Sequence, residues 1–65
     1  MKILINASLI KSGGALQYTL SLLNELKTEI NHYFIVFISL EIKREINLNR
    51  FNKNFKFYII KSNSV

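Results

Sequence analysis

Three apolar stretches punctuate the chain: Ile3-Leu4-Ile5, Tyr33-Phe34-Ile35-Val36-Phe37-Ile38 and Phe55-Lys56-Phe57-Tyr58-Ile59-Ile60. The first two are continuous rather than alternating, as in parallel strands covered on both faces. They predict strands over 2–6 and 33–38. The third alternates in part and predicts a strand over 55–60, ended by Ser62-Asn63-Ser64.

Between the first two strands the period becomes helical. At about 100° per residue, Leu16, Thr19, Leu20, Leu22, Leu23, Leu26 and Ile30 share one broad arc. Gln17, Ser21, Asn24, Glu25 and Thr28 fall opposite, with Tyr18 among them as an exposed side chain. This spacing predicts a helix over 14–28. Lys27 enters the apolar arc in the last turn, where a cation suits the helix dipole and can snorkel. Ser39 is placed to cap a second helix over 40–48, with Ile42 and Ile46 as its apolar pair and Glu41 in the first turn. Asn47 to Asn54 reads as a polar, asparagine-rich connector.

The resulting order, β-α-β-α-β, calls for a parallel sheet with right-handed crossovers. The expected fold class is therefore α/β: a three-layer, three-stranded parallel Rossmann-like βαβαβ fragment with helices packed on the sheet. Residues 1–65 would form one partial N-terminal Rossmann-like domain. In the doubly wound order strand one is central, yet nothing in these residues pairs with its far side. Ile3-Leu4-Ile5 would present an open apolar edge, which complete proteins avoid. The expectation is a chain that continues past Val65, or self-association through the edge of strand one.

The turn after strand one carries the candidate chemistry. Ala7 to Ser12 is a loop of small and polar residues around Leu9-Ile10, and Ser12 or Gly13 is placed to cap the helix. Gly13-Gly14 permits positive φ and close approach of a ligand. Free helix N–H groups then point beyond the strand's C-terminal end, where the natural occupant is an anion, most often a phosphate.

Composition narrows the options. A chain of 65 residues makes one small domain at most, burying only about 60% of its unfolded surface. It has no cysteine and one histidine, and its four acidic residues are all glutamate, so neither a disulfide framework nor a structural metal is expected. Its net charge of +5 favours anionic partners. The basic residues are dispersed, however, with no run longer than Lys43-Arg44, and abundant Lys, Asn and Ile fit A/T-rich codon usage. Asn6, Ser8 and Lys11 interrupt the N-terminal apolar run too early for a signal-peptide core. The run from Tyr33 to Ile38 falls far short of the ~20 residues of a membrane helix. A cytoplasmic location is expected, with peripheral contact with the anionic inner face of the membrane as a secondary expectation.

Met1-Lys2-Ile3-Leu4-Ile5-Asn6-Ala7-Ser8, then Ser12-Gly13-Gly14-Ala15-Leu16-Gln17, then Leu20-Ser21-Leu22-Leu23-Asn24-Glu25-Leu26, resembles the N-terminus of family-four, GT-B-type glycosyltransferases. Phe34 to Glu41, a hydrophobic run followed by Ser, one residue and Glu, is also similar. The resemblance covers most of the chain. It implies two Rossmann-like domains across a cleft and transfer of a sugar from a nucleotide-activated donor to a glycan or lipid-linked acceptor. By that resemblance, Gly13 and Gly14 are loop residues whose N–H groups meet donor phosphate or acceptor sugar. Ala15 stands where many members have a third glycine, and Gln17 is a side-chain contact. The resemblance also implies that the paired glutamates of the donor site belong to a C-terminal domain with no counterpart here. The nucleotide sugar and glycan acceptor would be engaged together with that domain, and the chain alone is expected to be inactive. No catalytic residue and no cofactor is assigned. His32 lies at the opposite end of the sheet from the ligand crevice and is expected to be a surface turn residue.

Two other functions compete with this resemblance. A dinucleotide-binding Rossmann fragment lacks its fingerprint, since only Gly13-Gly14 is present and no acidic residue ends strand two. A small basic nucleic-acid-binding module would use Arg50-Phe51-Asn52-Lys53-Asn54-Phe55-Lys56-Phe57-Tyr58, which interleaves basic and aromatic residues. A connector followed by a half-buried strand explains the same spacing, so no nucleic-acid partner is expected.

Overall fold

A computed structural model describes residues 1–61. The elements follow in the order β1 (Lys2–Ala7), α1 (Gly13–Leu26), β2 (Tyr33–Ile38), α2 (Leu40–Glu45), a 3-10 turn (Leu48–Arg50) and β3 (Phe55–Ile59). The sheet is wholly parallel, in the order β1-β2-β3. It is the expected Rossmann-like βαβαβ arrangement, and β1 pairs with β2 alone among the described residues.

Register defines two faces. Ile3, Phe34 and Phe55 form one row, and Ile5, Val36 and Phe57 the next. With Ala7 and Ile38 they belong to a single core, against which Leu16, Leu20, Leu23 and Leu26 of α1 and Ile42 of α2 pack. Leu23, Val36, Ile38 and Ile42 are fully enclosed. Phe34 stacks on Phe55 with ring centroids 4.4 Å apart. Phe51 closes the end of this core, edge-on to Phe55 and Phe57 at 5.0 and 4.8 Å.

The opposite face carries Lys2, Leu4, Asn6, Tyr33, Ile35, Phe37, Lys56 and Tyr58, none of which joins that core. The expectation of a third layer, and of strands covered on both faces, is thereby corrected: both helices lie on one side. Right-handed crossovers that step the same way across a sheet put their helices on the same face. β1 consequently alternates in burial along its length, although its sequence does not alternate in polarity.

Boundaries moved where local hydrogen bonding decided them. α1 stops at Leu26 rather than residue 28, and Lys27 is its C-cap. Ile30, expected on the apolar arc, is therefore beyond the helix and 73% exposed. α2 ends at Glu45, short of residue 48; Ile46 turns extended, and Asn47 Oδ1 then accepts from the Asn49 amide at 3.0 Å to open the 3-10 turn. β1 gains Ala7 and β3 loses Ile60, whose amide still donates to the Ile38 carbonyl at 2.9 Å. The expected stop at Ser62-Asn63-Ser64 lies outside the described residues.

The asparagine connector is a fastening. Asn52 Nδ2 donates to the Glu29 carbonyl at 2.7 Å and to the Lys27 carbonyl at 3.3 Å, and the Asn52 amide also reaches Lys27. Asn54 Nδ2 reaches the Ile30 carbonyl at 3.1 Å. Orphan carbonyls following the last turn of α1 are thus satisfied by the segment leading into β3.

Candidate functional site at the glycine loop

The candidate site lies at the C-terminal end of the parallel strands, where a parallel α/β sheet opens its ligand crevice. β1 ends in a local turn: Asn6 Oδ1 accepts from the Ser8 amide at 3.2 Å and from the Ser8 hydroxyl at 2.8 Å. The Ile10 amide then donates to the Ala7 carbonyl at 3.3 Å. Ile10 packs against the core, while Leu9 stays exposed.

Ser12 is extended and occupies the N-cap position, yet its side chain makes no capping hydrogen bond. Gly13 follows with φ +72°, a left-handed conformation that glycine adopts without penalty. An added Cβ at Gly13 or Gly14 would meet no heavy atom within 4 Å. The backbone at both therefore faces open space. Ala15 and Gln17 are exposed with them, so the four predicted site residues form one surface around the start of α1. One turn further, Thr19 is buried and its hydroxyl donates to the Ala15 carbonyl at 2.8 Å, fixing the helix just below the loop.

Ser39 joins this loop to the next one. Its hydroxyl donates to the Ile10 carbonyl, and the same oxygen accepts from the Ile42 amide at 3.3 Å. The cap of α2 and the position of the β1–α1 loop are thereby coupled. Beside that junction, Lys11, Ser39, Leu40, Glu41 and Ile60 line a small cavity of about 60 Å³. Sequence reasoning assigned Ser39 its cap but missed the bond to Ile10, for which no local pattern exists.

Larger hollows lie elsewhere. One of about 430 Å³ runs between α1 and the α2–3-10 segment, past Leu20, Asn24, Lys27, Arg50 and Phe51. Another of about 380 Å³ lies toward the N-terminal ends of the strands. Neither contains a residue of the glycine loop. Exposed N–H groups at a helix start are the kind of feature that recognises an anion, whereas volume alone recognises nothing.

His32 lies just before β2, at the far end of the sheet from Gly13. It is half-buried rather than a surface residue. Its ring meets Phe34 edge-on at 6.4 Å, and its Nδ1 is enclosed without a hydrogen-bond partner among the described residues. No helix of the described residues is long and apolar enough to cross a membrane.

Fold and loop together define a small parallel α/β unit with an exposed helix start that no side chain caps. Neither a family model, a curated protein nor a solved structure matches the chain.

Proposed function

We propose that the chain forms the first half of the N-terminal, acceptor-side domain of a glycosyltransferase that uses a nucleotide-activated sugar and a glycan or lipid-linked acceptor. In that reading Gly13, Gly14 and Ala15 present backbone N–H groups to donor phosphate or to acceptor sugar, and Gln17 contributes a side-chain contact. The observation that carries it is the start of α1: Gly13 at φ +72°, no side-chain cap, and open space over both glycines at the C-terminal end of β1. Helix N–H groups left unpaired in that position stabilise an anion through direct hydrogen bonds and the helix dipole. The opening Ile3-Leu4-Ile5-Asn6-Ala7 strand and the Leu23-Asn24-Glu25-Leu26 helix end add the family resemblance.

Gly13, Gly14, Ala15 and Gln17 carry no general acid or base, so in this reading the loop binds and orients. A donor-binding second domain would supply the paired glutamates, and the chain alone should transfer no sugar. The test is titration of the isotopically labelled chain with UDP and with inorganic pyrophosphate, read as amide shifts by NMR. Shifts centred on Gly13, Gly14 and Ala15, abolished by Gly13→Asp, are expected. Absence of shifts with either ligand at millimolar concentration, or shifts centred elsewhere, sinks the reading.

A further inference from the structure

α2 is short: it runs only from Leu40 to Glu45, and Ile46 then turns extended at φ −117° and ψ 155°. The chain steps away from α1 there, and the hollow of about 430 Å³ opens between the last two turns of α1 and the 3-10 turn. That volume falls within the ~300–1,000 Å³ of small-molecule sites. In a doubly wound domain the chain leaves β3 for the far side of β1, and this reversed crossover carries its helices to the other face of the sheet. The hollow therefore stays on the outside whether or not further strands follow.

A cation stands on each wall. Lys27, the residue that interrupts the apolar arc of α1, is half-buried on one side, and Arg50 of the 3-10 turn stands on the other. They share one end of the hollow, since the Asn52 amide, two residues past Arg50, donates to the Lys27 carbonyl at 3.3 Å. Neither side chain has an ion-pair partner among the described residues. The carbonyls at the end of α1 that would repel an anion are already engaged. The Glu29 amide donates to the Leu26 carbonyl at 2.8 Å, and Asn52 Nδ2 holds those of Lys27 and Glu29. Leu20, Ile46 and the ring of Phe51 pack against the core and give the hollow an apolar floor.

We infer that this hollow binds a small phosphate monoester with an apolar body. Two unpaired cations converging on one end call for a doubly charged group, and a single carboxylate would leave one of them unmatched. Asn47 adds a neutral donor: its Oδ1 is taken by the Asn49 amide at 3.0 Å, which leaves Nδ2 for the ligand. Glu45, a carboxylate on the same lining, accepts from a hydroxyl of the ligand and repels a second anionic group. Diphosphates and acidic polymers are disfavoured accordingly. The inference is independent of any ligand at the glycine loop.

The probe is phenyl phosphate, titrated into the isotopically labelled chain at constant ionic strength and read as amide shifts. Shifts should centre on Asn24, Lys27, Asn47 and Phe51, and Gly13→Asp should leave them unchanged. Inorganic phosphate, which lacks the body, and benzyl alcohol, which lacks the charge, should each bind about tenfold more weakly or worse. Lys27→Gln or Arg50→Gln should weaken phenyl phosphate about tenfold, as loss of one charge-assisted hydrogen bond does. Lys43→Gln removes the same charge from outside the hollow and should change nothing. Equal weakening by Lys43→Gln would reduce the binding to diffuse attraction by net charge and overturn the inference. So would inorganic phosphate binding as tightly as phenyl phosphate, or no shift at the hollow at millimolar concentration.

Discussion

The hydroxyl of Ser39 donates to the carbonyl of Ile10, a residue 29 positions earlier, and so holds the glycine loop against the start of α2. Ser39 is 1% exposed, so its removal leaves the Ile10 carbonyl and the Ile42 amide without this partner in a dry setting. Ser39→Ala should destabilise the chain by about 1–2 kcal/mol. Urea unfolding should show a lower midpoint at unchanged slope, and hydrogen exchange should quicken at Ile10 and Lys11. An unchanged midpoint would remove Ser39 as the link between the loops.

Asn52 makes a similar long-range fastening at the other end of α1. Asn52→Asp keeps the oxygen that accepts from the Asn54 amide at 2.8 Å. It loses the N–H groups that reach the Lys27 and Glu29 carbonyls, because a carboxylate cannot donate. It also sets a negative charge beside a helix C-terminus. The expected loss is about 1–3 kcal/mol, read by the same unfolding measurement. A neutral result would mean that the Asn52 backbone amide on Lys27, the Asn54 side chain on Ile30 and the packing of Phe51 hold the connector without the Asn52 side chain.

The glycines should respond in opposite directions. Gly13→Ala meets no steric neighbour, so its cost is the left-handed backbone at φ +72°, about 1–2 kcal/mol. Gly14 is helical, with the same open space, and Gly14→Ala should be neutral or stabilising by up to ~1 kcal/mol. Comparing the two midpoints separates backbone strain from any general intolerance of the loop to side chains.

Leu23 and Leu4 are the same residue type on opposite sides of the packing. Leu23 is wholly enclosed between α1 and the sheet, and Leu23→Ala should cost about 2–5 kcal/mol through lost burial and a residual cavity. In so small a domain that is enough to unfold most of the population. Leu4→Ala should change stability by less than about 0.5 kcal/mol. Equal losses at both positions would show that the outer face is covered in solution.

The elements were legible because their signals are local. Periodicity near 3.6 placed Leu16, Leu20, Leu23 and Leu26 on one stripe, and continuous apolar runs marked β1 and β2. The glycine pair announced the turn that the left-handed Gly13 makes. Less legible was the connector, where the asparagines of residues 47–54 read only as a polar link. Asn52 and Asn54 find their partners on α1 more than 20 residues earlier, and no short-range pattern encodes those bonds.

By itself, then, the sequence determined which segments are strands and helices, and that the strands run parallel. Only the tertiary structure decided which face each residue joins. Tyr33-Phe34-Ile35-Val36-Phe37-Ile38 is apolar on both sides of the pleat, so its composition is silent about layers. With β3 beyond β2 rather than beside β1, two crossovers of one hand step in one direction. Both helices therefore cover Phe34, Val36 and Ile38, while Ile35 and Phe37 stay on the helix-free face.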